Sequence, residues 1–185
     1  MATAADRPAE YQIIGTRPVR HDGVDKVTGR AKYGADIQMP GLLYGKVLRS
    51  PHAHARITSI DVGRALAYPG VRAVVTGGDM PQLTGSVSIA GGEAGAIGLK
   101  YYREMILASQ KVLFKGHPVA AVAAVSPHVA QEALSLIDVV YEVLPHVLTA
   151  PEAMRENAPL ILEDLTTRSM GRNTAKVSNV AAYEK

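Results

Sequence analysis

The segment "LRSPHAHARITSIDV", residues 48–62, combines residue types that could act on a substrate or bind a metal ion. Ser50, His52 and Asp61 supply the hydroxyl, imidazole and carboxylate of a nucleophilic triad, although no G-x-S-x-G turn surrounds the serine. His52 and His54, two apart on an extended segment, would share one face, as in a two-histidine metal site. Zinc needs a third or fourth ligand, and Asp61 is the nearest carboxylate downstream. We therefore expect surface or hydrogen-bonding histidines in a structural joint, with a small hydrolase using Ser50 and His52 as an alternative.

A glycine-rich stretch, "GGDMPQLTGSVSIAGGEAGAIGLK", covers residues 77–100. Its bare backbone N–H groups could approach an anion, as those of phosphate-binding glycine loops do. The run "GGEAGAIG" does not open a helix, however, and no acidic residue follows about 20 positions later on a second strand. We predict a long, variable loop. The alternative function that this stretch suggests is a free-standing module that binds a small anionic ligand.

Composition excludes several classes of protein. The 185 residues contain no cysteine, which excludes disulfides and an iron–sulfur cluster held by this chain's thiolates, since such clusters need about four. The 20 basic residues are scattered among 17 acidic ones, so no nucleic-acid surface is predicted. Because no signal sequence or run of about 18 apolar residues occurs, we expect no membrane partner and a cytoplasmic location. One Phe and no Trp leave an aliphatic core, which suits α/β packing.

Alternation of apolar and polar residues predicts the elements that position these groups. Asp61 is placed to cap a short helix that Pro69-Gly70 ends. Helices alternating with strands predict a mixed sheet with helices packed on it. The expected strands are "LLYGKVLRS", "RITSIDV", "VRAVVT", "KVLFKGHPVAAVAAV" and "VVYEVLP".

Two further helices begin at recognisable caps. Ser126 followed by Pro127 fixes one start, because proline's missing N–H would be unpaired there anyway. Thr149 and Glu152 have the spacing of a capping box that opens a last short helix. The apolar stripe of the first helix, which predicts that it packs on a sheet, consists of Val129, Ala130, Ala133, Leu134 and Ile137.

Five phrases, spread in order over almost the whole chain, together resemble one family. The phrases are "VTGRAKYGADI" (27–37), "GLLYGKVLRSPHAHARITSID" (41–61), "PGVRAVVTGGDMP" (69–81), "KVLFKGHPVAAVAA" (111–124) and "VVYEVLPHVLTAPEAM" (139–154). They are similar to the N-terminal α/β hammerhead domain in the molybdopterin-binding subunit of xanthine dehydrogenase and aldehyde oxidase relatives. The resemblance covers roughly residues 15–175. His117 departs from it, because relatives more often carry Glu or Gln there.

The resemblance implies a fold and a role. The fold class would be α/β, an α/β hammerhead, with a flexible arm at 1–15, the domain at 16–158 and an extension at 159–185 that leads toward a molybdenum-cofactor domain. The chain would be a scaffolding and assembly portion, inactive alone, of an oxidoreductase that hydroxylates aldehydes or N-heterocycles with oxygen from water. The complete enzyme would contain molybdopterin, 2Fe-2S clusters and FAD, in cofactor domains and in iron–sulfur and flavin subunits.

The family's catalytic glutamate and cofactor motifs have no counterpart in this sequence. We therefore assign no catalytic, cofactor-binding or metal-binding residue to this chain, and we expect no cofactor to be bound by it alone. The tail after Pro159 contains one apolar run, "LILEDL". We expect residues 166–185 to be mobile or to lie extended over the domain.

Overall fold

The computed structural model describes residues 13–83, 86–88, 96–169 and 172–183. The chain divides into two compact units with the boundary between Pro40 and Gly41. The first unit contains the short helix α1 (Gly23–Val27) and a 3-10 turn over Gly34–Asp36. Most of the expected arm at 1–15 lies outside the described residues. The predicted domain bounds at 15/16 and 158/159 stay predictions.

The second unit combines short helices with small sheets. Its helices are α2 (Gly63–Leu66), α3 (Leu99–Ile106), α4 (Pro127–Leu134) and α5 (Ala150–Ala153). Its strands are β1 (Tyr44–Arg49), β2 (Ala55–Asp61), β3 (Val71–Thr76), β4 (Ser86–Ser88), β5 (Ala96–Gly98), β6 (Lys111–Val112), β7 (Pro118–Ala124), β8 (Asp138–Val143), β9 (Thr166–Ser169), β10 (Arg172–Val177) and β11 (Ala182–Tyr183). In the described part of the chain, no helix is both long enough and apolar enough to cross a bilayer.

The central sheet has the order β1-β7-β3, and both outer strands run antiparallel to β7. Helix α4 covers one face, where it forms the larger apolar core with alternate residues of β7. Ser126 caps α4 as predicted, because its hydroxyl accepts a hydrogen bond of 3.2 Å from the Val129 N–H. The core members are Ala65, Ala120, Val122, Ala124, Ala130, Ala133, Leu134 and Ile137. Four of the five predicted stripe residues are among them, and Val129 packs against this core.

A second sheet has the order β6-β2-β8, and its strands are also antiparallel. A smaller core of Ala55, Ala108, Val112 and Val119 joins it to the start of β7. Four of the five predicted strands exist as β1, β2, β3 and β8, and the one predicted over residues 111–125 is divided by a turn into β6 and β7. Together they form separate antiparallel sheets instead of one mixed sheet. Asp61 ends β2, and its carboxylate accepts a 2.8 Å hydrogen bond from the Gly63 N–H at the start of α2.

One prediction fails in the remaining segments, and the expected mobility of the tail stays a prediction. The stretch expected to be one long loop contains, in its described part, the antiparallel pair β4–β5, and α3 starts at its end. The tail expected to be mobile or extended contains a small sheet of order β10-β9-β11. Thr167 is buried there, and its hydroxyl hydrogen bonds that of Ser178 at 2.6 Å. Hydrogen bonds between polar side chains therefore help to hold this small sheet together, although the segment has few apolar side chains.

Candidate functional site: the joint between β1 and β2

Residues 50–54 connect the two sheets and are bound to the turn before β7. The Ser50 N–H donates to the carbonyl of His117 at 2.9 Å, and the Ser50 carbonyl accepts from the Gly116 N–H at 2.8 Å. The Ser50 hydroxyl accepts from the His52 N–H at 3.0 Å and lies 3.1 Å from the His52 carbonyl. This hydroxyl is buried and engaged with local backbone, so it is not poised as a nucleophile.

The two histidines of the joint have different surroundings. The His52 ring lies edge-on to Tyr141, with 5.1 Å between ring centroids. His54 is 3% exposed, and its Nδ1 lies 2.6 Å from the carbonyl of Pro145, to which it donates because a carbonyl only accepts. His54 is thus one of the hydrogen-bonding histidines expected in the joint, and it is buried instead of exposed. Its Nε2 is buried and makes no hydrogen bond within the described residues.

The predicted combinations of residues do not come together. Asp61 stands at the other end of β2, about 20 Å along the strand from the joint, and its carboxylate binds the Gly63 N–H. Ser50, His52 and Asp61 therefore form no triad, and the small-hydrolase alternative loses its geometry. Within the described ranges, no three His, Asp or Glu side chains are grouped so that they could hold a metal ion. The arginines pair within the unit, Arg49 with the Gly116 carbonyl and Arg56 with Glu142.

His117, to which sequence analysis gave no role, is the centre of this region. It is fully buried, and its Nδ1 accepts a 3.1 Å hydrogen bond from the Leu113 N–H. Its Nε2 lies 2.9 Å from the Glu104 carbonyl and donates to it, and its ring stacks on Phe114 at 4.4 Å. Burial lowers the pKa of His117, while Glu104 opposes that shift. The available signal was a histidine in the turn "KGHP", directly before an apolar strand sequence.

A second polar cluster lies beside it, at the end of α3. Arg103 is 5% exposed and donates from Nη2 to the Gly77 carbonyl at 2.6 Å, and from Nη1 to Glu104 at 2.6 Å. The other Glu104 oxygen accepts from the Ser109 N–H at 2.9 Å. Gly77 is necessary here, because a Cβ on it would lie 2.7 Å from the Ser109 Cα. The cluster therefore fixes the first residues of the glycine-rich stretch to the end of α3.

A cavity of about 450 Å³ lies next to this cluster, between α3, the start of β6 and residues 162–164. Its charged walls are already paired. Lys111 lies 3.0 Å from Glu163, and the Tyr101 hydroxyl donates to Asp164 at 2.9 Å. Burial, assisted by this bond, raises the pKa of Tyr101 to about 12. A molybdenum–pterin group would have to break these pairs, so the cavity does not fit one.

The sheets, the covering helices and the joint define an α/β hammerhead domain. Residues 28–145 match the family model "Aldehyde oxidase and xanthine dehydrogenase, a/b hammerhead domain". The chain belongs to this family.

Individual relatives agree with that assignment. The carbon monoxide dehydrogenase large chain of Afipia carboxidovorans is 36% identical over 182 residues, which cover 94% of this chain and 20% of the relative. A probable xanthine dehydrogenase subunit of Bacillus subtilis is 42% identical over 147 residues, covering 79% and 18%.

Solved structures show the same fold. The aldehyde oxidoreductase of Desulfovibrio desulfuricans matches with a TM-score of 0.66 at 30% identity, covering 83% of this chain and 17% of that one. The chain thus spans about a fifth of the length of these relatives. The match supports the hammerhead interpretation and gives no support to a free-standing module built on residues 77–100.

Proposed function

We propose that this chain is the scaffolding hammerhead portion of a molybdenum hydroxylase, and that it is inactive alone. In this proposal the cofactor domains of the large subunit hold the molybdopterin and perform the oxidation of an aldehyde or N-heterocycle. Iron–sulfur and flavin subunits carry the electrons away, and the assembly is cytoplasmic. Support comes from the family membership and from the one-fifth share of each relative that the chain spans.

The observation that carries this proposal is the second face of the central sheet. Helix α4 covers the face formed by Ala120, Val122 and Ala124, so the residues between them point the other way. In register, Val47 and Val75 flank Ala121, and the two valines are 40% and 37% exposed. Gly45, Ala73 and Ala123 continue this row. We call these six residues the open face.

The open face is better suited to contact with another protein layer than to exposure to solvent. Its side chains are small and apolar, so another backbone can approach closely along three adjacent strands. We assign its occupant as the remainder of the large subunit, because the relatives carry this fold within chains about five times longer. Docking there would cover the second face of the sheet and hold the cofactor domains to the hammerhead.

A chimaera tests this assignment. The matching segment of the Afipia carboxidovorans large chain is replaced by this chain, with and without Ala121→Arg. We expect the unchanged chimaera to assemble and bind molybdenum, and Ala121→Arg to reduce its molybdenum content at least tenfold. A charged side chain there would have to be buried without a partner.

The control is Ala67→Arg, the same change at an exposed position after α2, which should leave molybdenum content unchanged. Thermal melting of the 185-residue chain carrying Ala121→Arg verifies that the sheet itself still folds. A chimaera that assembles equally well with Ala121→Arg, or one that never binds molybdenum, would overturn the proposal.

A further inference from the structure

His117 joins three segments, two through its neutral ring and one through its backbone carbonyl. Its Nδ1 binds the Leu113 N–H in the turn after β6, and its Nε2–H binds the Glu104 carbonyl in α3. Its own backbone carbonyl accepts from Ser50 in the joint. Both ring nitrogens are therefore satisfied only when the imidazole is neutral and carries its proton on Nε2.

Protonation would remove this match. A proton on Nδ1 converts the acceptor into a second donor, which would then face the Leu113 N–H at 3.1 Å. The imidazolium would also be fully buried, and a buried charge without compensating partners is strongly unfavourable. The charged ring can avoid both costs only by leaving its site.

The charged groups around His117 do not compensate. Glu104 in α3 favours the protonated ring, yet its carboxylate is already held by Arg103 and Ser109. Arg49 at the end of β1 donates to the Gly116 carbonyl and adds a positive charge on that side. The stacked ring of Phe114 favours a cation only modestly. Burial is the largest effect, and it lowers the pKa of His117.

We propose that His117 is an acid-operated latch, whose protonation releases the end of α3 and the 113–117 turn while the central sheet stays folded. Opening would disrupt the smaller core around Ala108, but the larger core, between β7 and α4, contains no residue of α3 and stays intact. The helix α3 loses its hydrogen bond from the ring at Glu104, and Ala108, just after α3, loses its 2.8 Å N–H bond to the Pro118 carbonyl. Both contacts lie next to His117.

The direction of the pH dependence follows from proton linkage. The closed state holds a neutral His117 with a lowered pKa, whereas the open state has an ordinary histidine with a pKa of about 6.5. The open state therefore binds the additional proton. The closed state is favoured fully above about pH 6.5, and each pH unit below it increases the open population by up to about tenfold.

Hydrogen exchange of the 185-residue chain between pH 8 and pH 5, corrected for intrinsic exchange rates, tests the latch. In the unaltered chain we expect the protection factors of the Leu107 and Ala108 amides to fall by at least tenfold on acidification. The Ala121 amide in β7 should keep its protection. His117→Gln should abolish the acid effect, because the amide side chain offers an acceptor oxygen and a donor NH2 group and does not titrate.

The matched control is His52→Gln, a half-buried histidine of the same joint, which should leave the acid effect intact. If His117→Gln does not fold, the ring ¹⁵N shifts of His117 in the unaltered chain report the protonation of the ring directly. A ring that becomes protonated near pH 6.5 while the Leu107 and Ala108 amides stay protected would overturn the latch. An acid effect that persists in folded His117→Gln would overturn it as well.

Discussion

Gly77 lies so close to Ser109 that a Cβ built on the glycine would be 2.7 Å from the Ser109 Cα. The carbonyl carbon and oxygen of Ala108 would each be 2.8 Å from the same position. These neighbours are backbone atoms, which cannot move aside as the end of a flexible side chain can. The contact joins the start of the glycine-rich stretch to the residues after α3.

Gly77→Ala should therefore destabilise the chain by about 2 kcal/mol, in the range found for overpacked positions. Gly78→Ala is the matched control, because the nearest atom to its Cβ would be the Thr76 hydroxyl at 3.5 Å. We expect that control to stay within about 0.5 kcal/mol. Urea unfolding of both variants measures the difference, and equal midpoints would contradict the contact.

Arg103→Met should cost about 3 kcal/mol, because it removes the buried cation that the Gly77 carbonyl and Glu104 share. Methionine fills similar space but leaves the Glu104 carboxylate with only Ser109 as a donor. Arg72→Met, at an exposed position of β3, is the comparison and should change stability by less than about 0.5 kcal/mol. A small effect of Arg103→Met on urea unfolding would mean that the cluster is not stabilising.

The two histidines of the joint should respond unequally to the same change. His54→Ala removes a nearly buried ring and its hydrogen bond to Pro145, so we expect a loss of about 3 kcal/mol. His52→Ala removes only an edge contact with Tyr141, and we expect a loss of about 1 kcal/mol. Thermal melting of each variant distinguishes them. Equal losses would argue against the burial assigned to His54.

Alanine substitutions at Gly70 and Gly116 distinguish the cost of backbone strain from the cost of steric overlap. Both have positive φ, +92° and +88°, so alanine at either position costs about 1 kcal/mol through the backbone. Only at Gly70 would the Cβ also meet side chains, with Val125 at 2.9 Å and Val129 at 3.2 Å. Gly70→Ala should therefore lose about 1 kcal/mol more than Gly116→Ala in denaturant unfolding. A larger loss at Gly116 would contradict this ranking.

The strands and the helix whose signals are local could be predicted from the sequence. The cap at Ser126 and the stripe from Ala130 to Ile137 depend on spacing within one helix, and both are confirmed. The resemblance to the family likewise depended on ordered phrases, and the family match confirms it. What failed depended on partners distant in sequence. The division into separate antiparallel sheets is one example, because the sequence of a single strand does not determine which other strands it pairs with.

The polar cluster could not be predicted for the same reason. Gly77 and Arg103 are 26 positions apart, and His117 meets Ser50 across an even longer separation. His54 was expected to be exposed or hydrogen-bonded, and the partner that buries it, the Pro145 carbonyl after β8, is 91 positions away in sequence. No pattern within residues 48–62 contains that information.

The order β1-β7-β3 has a consequence for how this chain is made. During synthesis β1 and β3 emerge well before β7, and neither pairs with the other. The hydrogen-bonding edges of both strands therefore remain unpaired until residues 118–124 leave the ribosome. The strand β2 likewise lacks its partner β8 until β8 is synthesised. Late pairing of this kind slows folding and leaves strand edges open to association with other chains. Translation speed through residues 77–117, and chaperone binding to β1 and β3 in that interval, should consequently set the yield of correctly folded protein.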